Sequence, residues 1–254
     1  MRFASLGSGS QGNALVVDAG ETKVLLDCGF STRVMAEKLG RLGLSPNDLD
    51  CVLVTHEHSD HMAGVFRFAR RYRLPVFLTH GTHAAAPRGK TPLSDFCLID
   101  SQTPLSIGDL EISPFPVPHD AREPVQYVFS DGKHRLGVLT DTGSITPHIV
   151  DVLNACDALV LECNHDPRML AASSYPATLK KRIAGRLGHL DNAAAASLLR
   201  QIDTRRLQHL LAAHLSQENN RPELAAAALA SVLNCAEAWI GVACQEAEIG
   251  RAHV

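Results

Sequence analysis

Short apolar runs alternate with amphipathic stretches along the chain, a pattern that predicts strands interleaved with helices. Residues 14–17 and 24–26 read as two strands paired across the turn at Gly20-Glu21. Cys51, Val52, Leu53 and Val54 in succession read as a strand buried on both faces. Further strands are expected at 76–78, 158–161, 207–213 and 238–242. Helical spacing marks residues 31–42 (Val34, Met35, Leu39, Leu42), with Ser31 or Thr32 as cap and Gly43 as stop. It also marks 62–72, 145–153, 222–233 and a long Ala/Leu helix capped by Asp191 and running to Ile202. The stretch 97–139 is strand-rich and studded with Pro and Gly. No Pro/Gly/Ser linker and no fixed-period repeat interrupts the pattern. Residues 1–245 are therefore expected to form a single α/β domain, and residues 246–254 a loose polar tail.

With 254 residues, 45% hydrophobic and 20% charged, the composition is that of an ordinary globular chain. A chain of this size buries enough surface to fold without a metal or disulfide staple, so any metal site is expected to be chemical rather than structural. A formal charge of −3 excludes a globally basic nucleic-acid binder and leaves room only for a local basic face. The seven cysteines are scattered and never spaced C-x-x-C, which argues against a disulfide framework and a thiolate zinc site and for a reducing compartment. The first residues lack an apolar h-region, and no uncharged apolar run reaches the ~18 residues of a membrane span. The expectation is a cytoplasmic protein with no membrane contact, monomeric or homodimeric.

Gly7-x-Gly9-x-x-Gly12 spells a dinucleotide-binding fingerprint, with Asp27 at a tempting distance. That fingerprint needs a helix to open directly after it, so that a pyrophosphate meets the helix N-terminus. Here Asn13-Ala14-Leu15-Val16-Val17 reads as strand, so the match is rejected.

Thr55-His56-Glu57-His58-Ser59-Asp60-His61 is the sharpest signal among the 13 histidines. It follows a buried strand and precedes a helix. Positions i and i+2 of extended backbone point the same way, so His56 and His58 can share one ion. Asp60 and His61, at the turn into the helix, project toward a second position. Clustered His and ionised Asp are costly to bury unless they bind something, which disfavours the bland alternative of a solvated polar turn. His119, Asp141 and His214 each end an apolar strand farther along, at the edge where α/β sheets place their chemistry.

This H-x-H-x-D-H run with later His, Asp and His resembles the signature of the metallo-β-lactamase-fold hydrolase superfamily, and the resemblance covers nearly the whole chain. It implies an αβ/βα four-layer sandwich of two similar halves with a dimetal site along one edge. It also implies that His56, His58 and His119 hold one ion, that Asp60, His61 and His214 hold the other, and that Asp141 bridges both. Two divalent ions less two carboxylates and a bridging hydroxide leave such a centre about one unit positive by formal count. A centre of that kind binds an anionic oxygen and supplies the hydroxide as nucleophile near neutral pH, with Asp60 able to accept its proton. A His/Asp donor set without Cys accepts zinc, manganese or iron, and zinc is the expected bound metal.

Smaller motifs narrow the resemblance. Gly7 to Asn13, Asp27-Cys28-Gly29, Glu162-Cys163-Asn164-His165-Asp166, Gly188-His189-Leu190-Asp191-Asn192 and His214 to Asn220 are together similar to the YycJ (WalJ) branch, associated with 5′-to-3′ exonuclease activity on DNA. Gln11 departs from it, where a small residue such as Ser is expected. His189, just before a helix N-terminus, is assigned as the acid facing the leaving group or as a phosphate ligand. Asn164 and His165, with Ser8, Lys180, Lys181 and Arg182, are the expected substrate contacts. The basic run leading to His189 (Arg168, Lys180, Lys181, Arg182, Arg186) is preferred over Arg67, Arg70, Arg71 and Arg73 as the DNA track. One Trp and three Tyr leave little for a base-stacking platform. Two alternatives share the metal ligands: a small-molecule or cyclic phosphodiesterase, and a glyoxalase II-type thioester hydrolase, the latter disfavoured by the lack of a Tyr-bearing C-terminal helical segment.

Overall fold

The computed structural model describes residues 1–86, 96–245 and 249–253. Its first half runs β1 (Arg2–Gly7), β2 (Ala14–Ala19), β3 (Thr22–Leu26), α1 (Thr32–Arg41), β4 (Cys51–Leu53), α2 (Ser59–Met62), α3 (Val65–Tyr72), β5 (Val76–Thr79), α4 (His80–Ala85) and β6 (Phe96–Ile99). The second half runs β7 (Leu105–Ile107), β8 (Leu110–Pro116), β9 (Val125–Ser130), β10 (Arg135–Leu139), α5 (Pro147–Leu153), β11 (Ala158–Glu162), α6 (Pro167–Ala172), α7 (Ala177–Ile183), α8 (Asn192–Gln201), β12 (His209–Ala213), α9 (Pro222–Leu233), β13 (Gly241–Val242) and β14 (Ile249–His253).

The two halves repeat one plan. One sheet is ordered β14-β1-β2-β3-β4-β5-β6 and the other β13-β12-β11-β10-β9-β8-β7. In each, an antiparallel set (β14/β1, β1/β2 and β2/β3; β7/β8, β8/β9 and β9/β10) joins a parallel set (β3/β4, β4/β5 and β5/β6; β10/β11, β11/β12 and β12/β13). Alternation along each strand decides the layers. Cys51 and Leu53 of β4 face the opposite sheet, with Phe3, Val17, Ile112, Tyr127, Phe129 and Val160. Val52, between them, faces Met35 and Leu39 of α1 and Phe68 of α3. On the far side, Leu159 and Leu161 of β11 pack against α5, α8 and α9 through Leu153, Leu198 and Leu229. The result is the four-layer sandwich, helices outside and two sheets within.

Several sequence expectations shift by a few residues, and three change in kind. The helix expected over 62–72 is two helices. Gly64 breaks it, because its N–H donates to the Cys28 carbonyl (2.8 Å) and a Cβ there would lie 1.8 Å from the Phe30 carbonyl oxygen. The strand expected over 238–242 is reduced to Gly241–Val242, after a 3-10 turn at Glu237–Trp239. The expected loose tail instead carries β14, paired antiparallel with β1; residues 246–248 and 254 lie outside the described residues. As expected, strand β2 and not a helix follows Gly12, so the glycine-rich loop has no dinucleotide-binding geometry.

Candidate metal centre

Strand ends deliver the site. β3 ends into Asp27, β4 into Thr55 and His56, β8 into His119, β10 into Asp141, β11 into Asn164 and β12 into His214, all on one edge of the sandwich. Asp27, Asp141 and His214 take left-handed backbone (φ 60°, 52° and 55°), an uncommon conformation for residues other than glycine. Strained turns at three strand ends aim these side chains into one cleft.

All seven expected ligands meet there. His56, His58 and His119 bring one ligand atom each to within 4.8 Å of one another, and so do Asp60, His61 and His214. Asp141 joins His56 and His61 in a third such group, and His189 and His214 in a fourth. Asp141 Oδ2 lies 2.8 Å from His61 Nε2 and 3.0 Å from His214 Nδ1. Asp60 Oδ2 lies 3.4 Å from His61 Nε2 and 3.7 Å from His214 Nε2.

The supporting hydrogen bonds fix which ring nitrogens face inward. Thr55 donates its hydroxyl to Asp27 Oδ2 (2.8 Å) and accepts from His56 Nδ1 (3.0 Å), leaving His56 Nε2 as a bare acceptor. His61 donates Nδ1–H to the same Asp27 oxygen at 2.7 Å. His119 donates Nδ1–H to the Gly188 carbonyl (3.0 Å), and His58 donates Nε2–H to the Asp120 carbonyl (3.2 Å). Asn13 donates to Asp60 Oδ2 at 3.2 Å and to His61 Nε2 at 3.0 Å. These four imidazoles are thus each oriented by a partner on one ring nitrogen, as ligating histidines are.

Five buried side-chain atoms among the described residues lack a hydrogen-bond partner, and three of them, His56 Nε2, Asp141 Oδ2 and His214 Nδ1, belong to the ligand groups. Orphaned buried polar atoms are rare, and three gathered in one cleft suit the binding of a cation. The donor set is imidazole and carboxylate throughout, and its residues fit divalent metal ions.

Electrostatics follow from this packing. Burial, aided by the neighbouring His61, pushes His56 well below the ordinary imidazole range. Burial would do the same to His61, but the flanking Asp141 and Asp27 hold it well above that range. Asp141 is held well below the carboxylate range, because His214 and His61 outweigh its complete burial. His189 rises to about 9: burial opposes the shift, and Glu162 overcomes it.

Glu162 was quoted in the sequence only as part of a motif, yet it organises this corner. It is fully buried, accepts from the Thr142 N–H (2.9 Å) and Leu190 N–H (3.3 Å), and holds His189 Nδ1 at 2.7 Å. His189 stands between the two ligand groups, its ring centroid 5.3 Å from both His119 and His214. Asp27, Thr55, Asn13 and Asp120 were likewise unassigned. An acidic residue directly after a strand, as at Asp27 and Glu162, was the available signal.

The expected substrate contacts divide. Ser8 is buried and its hydroxyl accepts the His214 N–H at 2.7 Å; Asn164 donates to the His214 carbonyl at 3.0 Å. Both position His214. His165 is buried beside Asn164, outside the ligand groups. Lys180 donates to the Ala171 carbonyl (2.7 Å), while Lys181 is exposed on α7. Arg182 does reach the site's rim: its Nε–H donates to Asp120 Oδ2 at 2.5 Å, and Asp120 Oδ1 lies 3.5 Å from His119 Nε2. Gln11, the departure from the branch pattern, donates to Gln217 in the loop after His214 at 3.1 Å.

Fold and centre together define a hydrolase of the metallo-β-lactamase type. The chain belongs to the beta-lactamase superfamily, whose domain matches residues 22–210, and within it to a YycJ/WalJ-like branch. It is 37% identical to exodeoxyribonuclease YycJ of Bacillus anthracis over 92% of this chain and 89% of that protein. It is 34% identical to exodeoxyribonuclease WalJ of Streptococcus pneumoniae over 95% and 91%. Among solved structures it superposes on the metallo-beta-lactamase fold protein YhfI from Bacillus subtilis with a TM-score of 0.74 at 16% identity, covering 99% of this chain and 98% of that one. Zn(2+)-bound PqqB from Methylobacterium extorquens gives 0.72 at 18%, covering 98% and 99%. At those identities the two structures speak to the fold alone.

Proposed function

We propose that the chain is a dimetal-dependent phosphodiesterase that degrades DNA from the 5′ end. The observation that carries the metal-dependent reading is the convergence of seven His and Asp side chains with three orphaned buried atoms turned inward. The names of the two relatives, both exodeoxyribonucleases, support DNA as the substrate class. His56, His58 and His119 would hold one ion, Asp60, His61 and His214 the other, and Asp141 both, with zinc the first choice and manganese or iron the alternatives. Bound there, the ions would polarise the phosphoryl oxygens and lower the pKa of the attacking water.

The residues of the chain supply the rest. Hydrolysis forms one P–O bond to water and breaks one to the departing sugar oxygen, which leaves as a hydroxyl only if it gains a proton. His189 is placed to give it: Glu162 holds Nδ1 at 2.7 Å, with Asp141 Oδ1 3.3 Å from the same nitrogen, which leaves Nε2 to donate the proton. Asp60, at the rim of the second ligand group, is placed to take the proton of the attacking water. Arg182 is pinned by Asp120 through Nε alone, which leaves both Nη groups to bind a phosphate of the substrate. The test is a DNA duplex labelled at its 3′ end, incubated with zinc and with manganese beside bis-p-nitrophenyl phosphate. Stepwise shortening from the 5′ end is expected; cleavage of the small diester alone would replace this reading with the small-molecule phosphodiesterase.

A further inference from the structure

We propose that Leu187 is the nucleobase contact of this site, the apolar surface on which the terminal base of a DNA end rests while the adjoining phosphodiester enters the His/Asp cleft. The inference rests on the nuclease reading above. Large apolar side chains exposed among the described residues are Leu98, Leu187, Leu224 and Trp239; Leu187, 53% exposed, is the one on a loop of the site.

An exposed leucine by itself says little. The backbone that carries this one is tied into the site by hydrogen bonds on both sides. The Arg186 carbonyl accepts from Ser144 Oγ (3.1 Å), the Leu187 carbonyl from the Asp120 N–H (3.0 Å), and the Gly188 carbonyl from His119 Nδ1 (3.0 Å). The Gly188 N–H donates to the Gly185 carbonyl at 2.8 Å and the His189 N–H to the Ile183 carbonyl at 2.9 Å. The packing is equally tight. A Cβ on Gly188 would lie 2.2 Å from the carbonyl oxygens of Arg182 and Ile183, and one on Gly143 would lie 2.4 Å from the Gly188 nitrogen. Leu187 is therefore tied to the same frame as His119 and His189.

Its neighbours give the chemistry of what it meets. Arg182 and Arg186 both precede it in sequence and are exposed, so the segment offers cations followed by an apolar surface beside the cleft. A nucleotide end presents the complement, an apolar ring face beside its phosphate. Contact with a ring face is tolerant of sequence, because every base has one. In a chain so poor in aromatic residues, a rigid leucine provides that face.

The experiment compares wild type, Leu187→Ala and Leu187→Trp on two DNA duplexes, one with an intact 5′-terminal nucleotide and one with that nucleotide abasic. For the wild type, removing the base is expected to raise KM about five- to tenfold with kcat little changed. Leu187→Ala should show that raised KM on intact DNA and no further loss on the abasic end. Leu187→Trp should lower KM on intact DNA only. An unchanged KM in Leu187→Ala, or an equal abasic penalty in wild type and Leu187→Ala, overturns the assignment while the nuclease reading stands. If the wild type degrades neither duplex, both fall together.

Discussion

Glu162 makes no contact with a substrate, yet its replacement should separate the chemistry of this site into two parts. In Glu162→Gln the volume is kept, and the Gln oxygen can still accept from Thr142 and Leu190. The bond that changes is the 2.7 Å contact to His189 Nδ1, where an amide N–H now faces the ring instead of a carboxylate oxygen. His189 loses Glu162, the stronger of the anions that hold it protonated, and keeps Asp141. A charge-assisted hydrogen bond is worth about 1.5–3 kcal/mol net, so folding should weaken by roughly that amount and not collapse. General-acid catalysis contributes about 10²- to 10⁴-fold, so kcat on DNA should fall about a hundredfold or more. The assay pairs DNA with bis-p-nitrophenyl phosphate. Nitrophenolate departs without needing a proton, so the variant should keep most of its activity on that diester, with both metals bound. Equal losses on the two substrates, or a loss of metal, would refute the assignment of His189 as proton donor and of Glu162 as its positioner.

Other substitutions address the remaining parts. Asp60→Ala should reduce bound metal from two ions to one per chain and abolish hydrolysis while the fold persists; a variant with two ions and full activity would contradict the ligand assignment. Arg182→Ala should raise KM for DNA and lower the slope of log affinity against log salt by about one, the signature of one lost phosphate contact. Asp131 accepts backbone N–H bonds from Lys133 and His134 at 2.9 and 2.8 Å, and although burial works against it, these bonds hold its carboxyl below the usual range. A depressed folded pKa adds stability above the unfolded value of about 3.9 and loses it as pH falls through the folded value. Asp131→Asn should therefore be the less stable protein at pH 7, with the difference closing below about pH 4 in chemical denaturation.

Much of this arrangement was legible because local signals agreed. The helix over 222–233 was bounded by Pro222 at its first position and by Asn234, left-handed at φ 52°, just past its end. The convergence of these His and Asp side chains was legible because such residues at strand ends have few other reasons to cluster. Helices α6 and α7 are short, six and seven residues, and each has a start signal amid its basic residues. Asp166 caps α6 through Arg168 and Met169 with Pro167 behind it, and Pro176 precedes α7. β14 was unreadable for a different reason: a short polar segment becomes a strand only because β1 offers it an unpaired edge. For Glu162 and Asp27 the sequence offers only an acidic residue at a strand end; their partners depend on which strand ends the two sheets bring together.

The most direct test of the central claim joins metal content to reaction direction in one preparation. The purified chain is analysed for bound metal and then given 3′-end-labelled duplex DNA. Two divalent ions per chain and a ladder that shortens one nucleotide at a time from the 5′ end is the expected result. DNA degraded at full rate by a chain stripped of metal, or internal cuts with no ladder from the 5′ end, would contradict it.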